Sequence, residues 1–238
     1  RSNGTVRAWV QIAFTNYKYL IVTSAGNDRN DNGVAGSIHP QDGPWYCIAD
    51  YGVSKYALTV GAVHDNNGGY GGVGTVVASN FTSWGPVDDG RVKPDIVANG
   101  VSWRSTEEDN NTDYGNKGGT SMAAPSVTGS IALLHELDND LVTTFEGWSS
   151  TFKGLVIHSA DEAGNFDGPD YSFGWGMMNT ARAAHILQYH DEGCGINALS
   201  LSDGLRNNIR ELQIDNNETI NYQVEKLEIG RASCRERV

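Results

Sequence analysis

Three short apolar runs, each closed by a turn, set the limits on what this chain can fold into. Tyr19-Leu20-Ile21-Val22-Thr23 ends at Ser24-Ala25-Gly26-Asn27, and Tyr56-Ala57-Leu58-Thr59-Val60-Gly61-Ala62-Val63 and Pro94-Asp95-Ile96-Val97-Ala98 follow. None shows the apolar–polar alternation of a strand with one wet face, so each reads as a strand buried on both faces. Between and after them the period changes. Val6, Trp9, Val10, Ala13 and Tyr17 form a helical stripe over residues 5–17, and helices are predicted at 121–137, 150–159 and 179–189, the last with Asn179 as N-cap. Buried strands alternating with helices predict an α/β architecture: a mostly parallel sheet with helices on both faces.

The connections are long and rich in Gly, Asn and Asp, at residues 27–44, 64–74 and 104–120, and loops of that length in a compact domain tend to carry function. With 39% hydrophobic and 19% charged residues the composition is that of a core-forming chain. A net charge of −12 argues against a nucleic-acid partner, because phosphate binding needs a basic face. No apolar run approaches the ~20 residues that span a bilayer. The chain opens on Arg1 and not on Met, so we expect its natural start to lie upstream, and the lack of a signal-like segment carries no meaning.

After about Asp191 the pattern changes to strict alternation, with Leu212, Ile214, Ile220, Tyr222 and Val224 around a turn at Asp215-Asn216-Asn217-Glu218. This predicts a hairpin opening a β-rich second domain over residues 191–227, after a first domain over residues 1–190. Residues 228–238, EIGRASCRERV, read as the translation of a short-read sequencing adapter whose next triplet is a stop codon. They are set aside from fold reasoning, together with Cys234. Cys47 and Cys194 remain, either as a disulfide in an oxidising compartment or as two buried thiols.

The string that carries chemistry is Gly118-Gly119-Thr120-Ser121-Met122-Ala123-Ala124-Pro125-Ser126-Val127. It places a Ser at the mouth of an apolar helix whose buried side is marked by Met122, Val127, Ile131, Leu134 and Leu137. Free backbone N–H groups and the helix macrodipole there favour developing negative charge, which suits a nucleophile whose attack creates an oxyanion. A bare Thr-Ser before a helix would be read as an N-cap instead.

The longer string resembles the nucleophile motif of the subtilisin-like (S8) serine peptidases. Three further segments agree with that family in order. Ser24-Ala25-Gly26-Asn27 is similar to its strand-end motif, and Phe81-Thr82-Ser83-Trp84-Gly85-Pro86 with Asp89–Ala98 resembles its stretch before the nucleophile loop. Tyr171-Ser172-Phe173-Gly174-Trp175-Gly176, with Asn179 and Ala181, resembles its closing element. The resemblance covers roughly residues 5–190 and implies a subtilisin-like fold and endopeptidase activity on protein or peptide substrates outside the cell. It implies Ser121 as nucleophile, its own N–H as one oxyanion donor and Asn27 as the side-chain donor. Ala25 and Gly26 would line the wall for the residue before the scissile bond, and Thr120 would support the nucleophile loop.

In this family the catalytic Asp and His precede the oxyanion Asn, yet residues 1–26 contain neither. His39, His64, His135, His158, His185 and His190 all fall in other contexts, so both partners are expected upstream of position 1, and this polypeptide alone is expected to lack the full triad mechanism. A catalytically inactive homologue serving as a binding or scaffold module is the alternative. An ester hydrolase would call for Gly-x-Ser-x-Gly, which Ser121 does not have. No cofactor is required. Asp28-Arg29-Asn30-Asp31-Asn32-Gly33 fits the first half of a calcium loop, although His39 stands where its closing Glu belongs, and a solvated turn is the competing reading. Asn-x-Thr sequons occur at Asn3, Asn80, Asn110 and Asn217; in a chain this rich in Asn and Thr, sequence alone does not separate glycan acceptors from coincidence.

Overall fold

The computed structural model describes residues 4–30, 44–141, 147–189 and 196. The three apolar runs become β1 (Val22–Ser24), β2 (Leu58–Val63) and β3 (Ile96–Asn99), parallel and in the order β1-β2-β3. Val22 stands opposite Leu58 and Val60 opposite Ile96. Every residue of β2 is buried, as an unalternating apolar run requires, whereas β1 is only half-buried. Its regular pairing starts three residues later than the run read from sequence, since Tyr19 is exposed and Leu20 and Ile21 only partly covered.

Helix α1 (Gly4–Thr15) precedes β1, and α2 (Thr120–Leu141), α3 (Ser149–His158) and α4 (Thr180–Gln188) follow β3. Residues Ala123, Val127, Ile131 and Leu134 of α2 pack on Leu58, Val60, Ala62 and Ile96 of the sheet. Met122 and Leu137, expected on the buried face, sit at its margins and are partly exposed. Phe152 and Leu155 of α3 and Ala183 and Leu187 of α4 extend the same core. Asn179 caps α4 as its position suggests, accepting a 2.8 Å hydrogen bond from the Arg182 N–H.

On the opposite face a 3-10 turn, Asp50–Val53, lies against β1 and β2, tied by the Thr59 hydroxyl donating to the Gly52 carbonyl at 2.8 Å. Helix α1 docks on this turn, with the Trp9 ring stacked 4.6 Å from that of Tyr51. Helices therefore flank both faces. The segment after α3 runs beside β3, where Val97 donates to Gly176 and Met178 donates to Val97, both at 2.9 Å. Gly176 is required there: its φ is +121° and a Cβ would collide with the Asp161 carbonyl.

One ionic cluster is sealed into this layer. Lys93, 2% exposed, donates to the Ala57 carbonyl, the Thr59 hydroxyl and, at 2.5 Å, Asp95 Oδ2. Asp95 Oδ2 also accepts from the Thr59 N–H at 2.7 Å, while Lys153 of α3 reaches Asp95 Oδ1 at 3.2 Å. Two cations thus share one buried carboxylate. Loss of hydration pushes the Lys93 ammonium down to about 8, against the pull of Asp95 and with added repulsion from Lys153.

Residues 104–120, read from sequence as a loop, contain an antiparallel hairpin of β4 (Trp103–Thr106) and β5 (Tyr114–Lys117). All its strand residues except Gly115 are exposed, so no inward-facing apolar set marks it in the sequence. The second domain predicted over residues 191–227, its hairpin at 212–224, the tail at 228–238 and Cys194 lie outside the described residues, apart from Ile196, which is buried against the main core. Cys47 carries a free thiol.

Candidate active site

Two chain segments meet at the C-terminal ends of the parallel strands. The first is the turn leaving β1. Ala25 is fully buried, packed with Ile48 and Val87; its N–H donates to Val60 and its carbonyl accepts from Ala49. It underlies the turn and offers no side-chain surface to a ligand. Gly26 is partly exposed, but its carbonyl accepts from the Ser83 N–H at 2.9 Å and its N–H donates to the Thr120 hydroxyl at 3.2 Å. A φ of +108° and a Ser83 hydroxyl 2.8 Å from where a Cβ would stand make glycine necessary at this position.

The turn is clamped from behind by residues 80–84. Ser83 Oγ accepts from the Asp28 N–H at 3.0 Å, and Arg29 donates through Nε to the Asn80 carbonyl while lying 4.3 Å above the Trp84 ring. The family resemblance covers this stretch without implying a role for it; in the structure it holds the turn. Thr82 in turn accepts from the Ala62 N–H, tying the clamp to β2. Cys47 closes the rear, its sulfur accepting from the Trp84 N–H at 3.2 Å, and burial raises the thiol above its ordinary range.

The second segment is the start of α2. Gly119 donates to Gly100 at 2.8 Å, and its carbonyl accepts from Met122, opening the helix. Thr120 is fully buried and both its N–H and its hydroxyl donate to Asn27 Oδ1, at 2.9 and 3.0 Å. Two donors on one amide oxygen fix which way the Asn27 side chain faces. Oδ1 is turned into the protein and the NH2 group outward, with Nδ2 lying over Gly119, 3.5 Å from where a Cβ there would be.

Ser121 follows, exposed, in the first helical turn. A first-turn N–H has no intrahelical acceptor, and Pro125 lacks the N–H that would otherwise bond the Ser121 carbonyl. Among the described residues no group is hydrogen-bonded to the Ser121 hydroxyl, and none of the described histidines approaches it by a hydrogen bond. His64 is exposed after β2, His135 stacks on Phe152 at 3.7 Å, and His185 leans on Tyr189. His158 is half-buried at the end of α3, where burial lowers its pKa. Of the calcium-loop reading, Asp28, Arg29 and Asn30 are described and the remaining positions lie outside. Chemically the assembly offers a hydroxyl at a helix N-terminus, an unbonded N–H and an oriented amide donor, a set suited to negative charge on an oxygen.

The model of the subtilase family matches residues 2–176. The chain belongs to the subtilase family. Among its relatives, the subtilisin-like protease SBT3.8 of Arabidopsis thaliana is 30% identical over 228 residues, covering 81% of this chain and 29% of that protein. The serine protease AprX of Bacillus subtilis is 38% identical over 106 residues, 40% of this chain and 24% of AprX. A PII-type proteinase of Lactococcus lactis subsp. cremoris is 43% identical over 79 residues, 33% of this chain and 4% of that proteinase. This subtilase chain therefore spans less than a third of each of these relatives. In fold it is similar to the patellamide maturation protease PatA, with a TM-score of 0.57 over 79% of this chain and 58% of that one at 22% identity. Among the described residues no helix is long and apolar enough to cross a membrane.

Proposed function

We propose that the protein is an extracellular endopeptidase that cleaves proteins or peptides through an acyl-enzyme, with Ser121 as nucleophile. Attack of the Ser121 oxygen on the scissile carbonyl turns that carbonyl oxygen into an oxyanion, which accepts hydrogen bonds from the Ser121 N–H and Asn27 Nδ2. Water then releases the acyl group. The general base and the carboxylate that orients it come from outside the described residues. The observation that carries this reading is the pair of hydrogen bonds from Thr120 to Asn27 Oδ1, which leaves only the donor end of the amide for the side where Ser121 is exposed. Gly26 and Thr120 act by positioning, and Ala25 supports them from beneath. Residues 1–190 form the peptidase unit, on whose core Ile196 also packs, and the residues that follow up to 227 begin a separate one. No cofactor is required for the chemistry, and calcium would be a ligand of the loop that begins at Asp28.

The test uses the full-length protein and a chromogenic peptide. Removing one side-chain oxyanion donor lowers turnover about 100- to 1000-fold in subtilisin, a member of the same family, so Asn27→Ala is expected to lower kcat by that factor with little change in KM. Ser121→Ala should leave only the residual activity of an oxyanion site without a nucleophile. Full activity in Ser121→Ala would overturn the assignment. A folded wild-type protein that cleaves no peptide would favour the binding-module reading, which the lack of a base at Ser121 among the described residues keeps in view.

A further inference from the structure

Of the four sequons, only two lie within the described residues, and their geometries differ. In Asn80-Phe81-Thr82 the threonine is fully buried; its hydroxyl accepts from the Ala62 N–H and its own N–H donates to Ser79 Oγ, so neither group faces Asn80. Asn110-Asn111-Thr112 sits at the tip of the β4–β5 hairpin with all three residues exposed. There the Thr112 hydroxyl donates to Asn110 Oδ1 at 2.9 Å and the Thr112 N–H donates to the same oxygen at 3.0 Å. The Asp113 N–H closes the turn on the Asn110 carbonyl at 3.2 Å. Among the described residues nothing engages Asn110 Nδ2.

We propose that Asn110 is an acceptor for an N-linked glycan. An amide nitrogen is a poor nucleophile because its lone pair is delocalised onto oxygen, and two donors on Oδ1 draw charge to that oxygen and acidify the Nδ2–H. The co-reactant is a lipid-diphosphate-linked oligosaccharide presented by an oligosaccharyl transferase. Nδ2 forms a bond to the anomeric carbon, the anomeric C–O bond breaks with its electrons leaving on the diphosphate, and one Nδ2 proton passes to a base of the transferase. Both Thr112 contacts span only two residues, so this geometry is made within the segment itself and needs no partner from elsewhere in the fold. The Thr82 hydroxyl, by contrast, is committed to a strand twenty residues away. The folded protein has room for the product: the tip is exposed and stands a whole strand, about 13 Å of β5, from the end of the hairpin that leads into α2.

This inference rests on the proposed extracellular location, and its test removes that dependence by imposing translocation. The full chain, behind a cleavable secretion signal and with Asn3, Asn80 and Asn217 all changed to Gln, is translated in the presence of eukaryotic microsomes. The expected result is a mobility shift reversed by an endoglycosidase, abolished by a further Asn110→Gln or Thr112→Ala and retained by Thr112→Ser. No shift in the chain whose sole sequon is Asn110, alongside a control glycoprotein that is modified, overturns the proposal. So does a shift that survives Thr112→Ala. Neither outcome bears on the peptidase reading, which Ser121→Ala tests separately.

Discussion

The two sides of the sheet core are built to different standards. Around β2, β3 and α2 the protein is closed: Leu58, Val60 and Ile96 are wholly inaccessible, and even a lysine is sealed in with its hydrogen bonds complete. Around α1 and β1 it is open. Phe14 is 68% exposed and Tyr19 60%, and a groove lined by Trp9, Ile12, Tyr19, Ile21 and Val22 of this side runs to Thr128 of α2. The candidate site draws on both, taking Asn27 from the open side and Ser121 from the closed one. The contrast shows that a candidate site can be assembled from unequally buried parts, provided something fastens them together.

Leu58→Ala should expose the contrast most strongly, with a loss of about 2–5 kcal/mol in denaturant unfolding, while Tyr19→Ala should stay within about 0.5 kcal/mol. Comparable losses would erase the distinction between the two sides. The buried lysine sharpens the same point through pH. With a folded pKa of about 8 against an ordinary 10.5, Lys93 is neutral in the folded state and still protonated in the unfolded one across that interval. The unfolded state then binds more protons, so the contribution of Lys93 to stability increases from pH 8 to 10.5, by at most about 3 kcal/mol. Comparing unfolding curves of wild type and Lys93→Met over that interval isolates the effect; parallel pH profiles would refute it. The smallest of the three stability losses is assigned to the fastening between the two sides. Thr120→Val strands Gly26 N–H and removes one donor from Asn27 Oδ1, costing about 1–3 kcal/mol, and activity should fall towards the level of Asn27→Ala. Unchanged turnover would show that the amide is oriented without the hydroxyl.

Much of this was legible in the sequence because it is local. Unbroken apolar runs marked the buried strands, the 3.6-residue period marked the helices, and Asn179 marked the start of α4. Ser121 and Asn27 were singled out through short family motifs, and in the structure their segments meet through the hydrogen bonds of Thr120 to Asn27. What escaped has a physical reason in each case. The β4–β5 hairpin buries almost nothing, so period gives no signal. Apart from the Lys93–Asp95 pair itself, the buried ionic cluster and the clamp by Ser83 depend on contacts between residues 36 to 96 apart in the chain, which no local pattern encodes. Ala25 was expected at a ligand's side only through the family resemblance, which carries no information on burial; its methyl packs against Ile48 and Val87.

The threonine before the serine has a mechanical meaning as well. Because Asn27 is gripped by the residue directly preceding Ser121, the two groups are gauged against each other and not against the sheet. If the edge carrying β1 breathes, the amide can travel with the helix start, and the spacing between hydroxyl and donor survives the excursion. A loosely held margin and a fixed spacing between two groups can thus coexist in one protein.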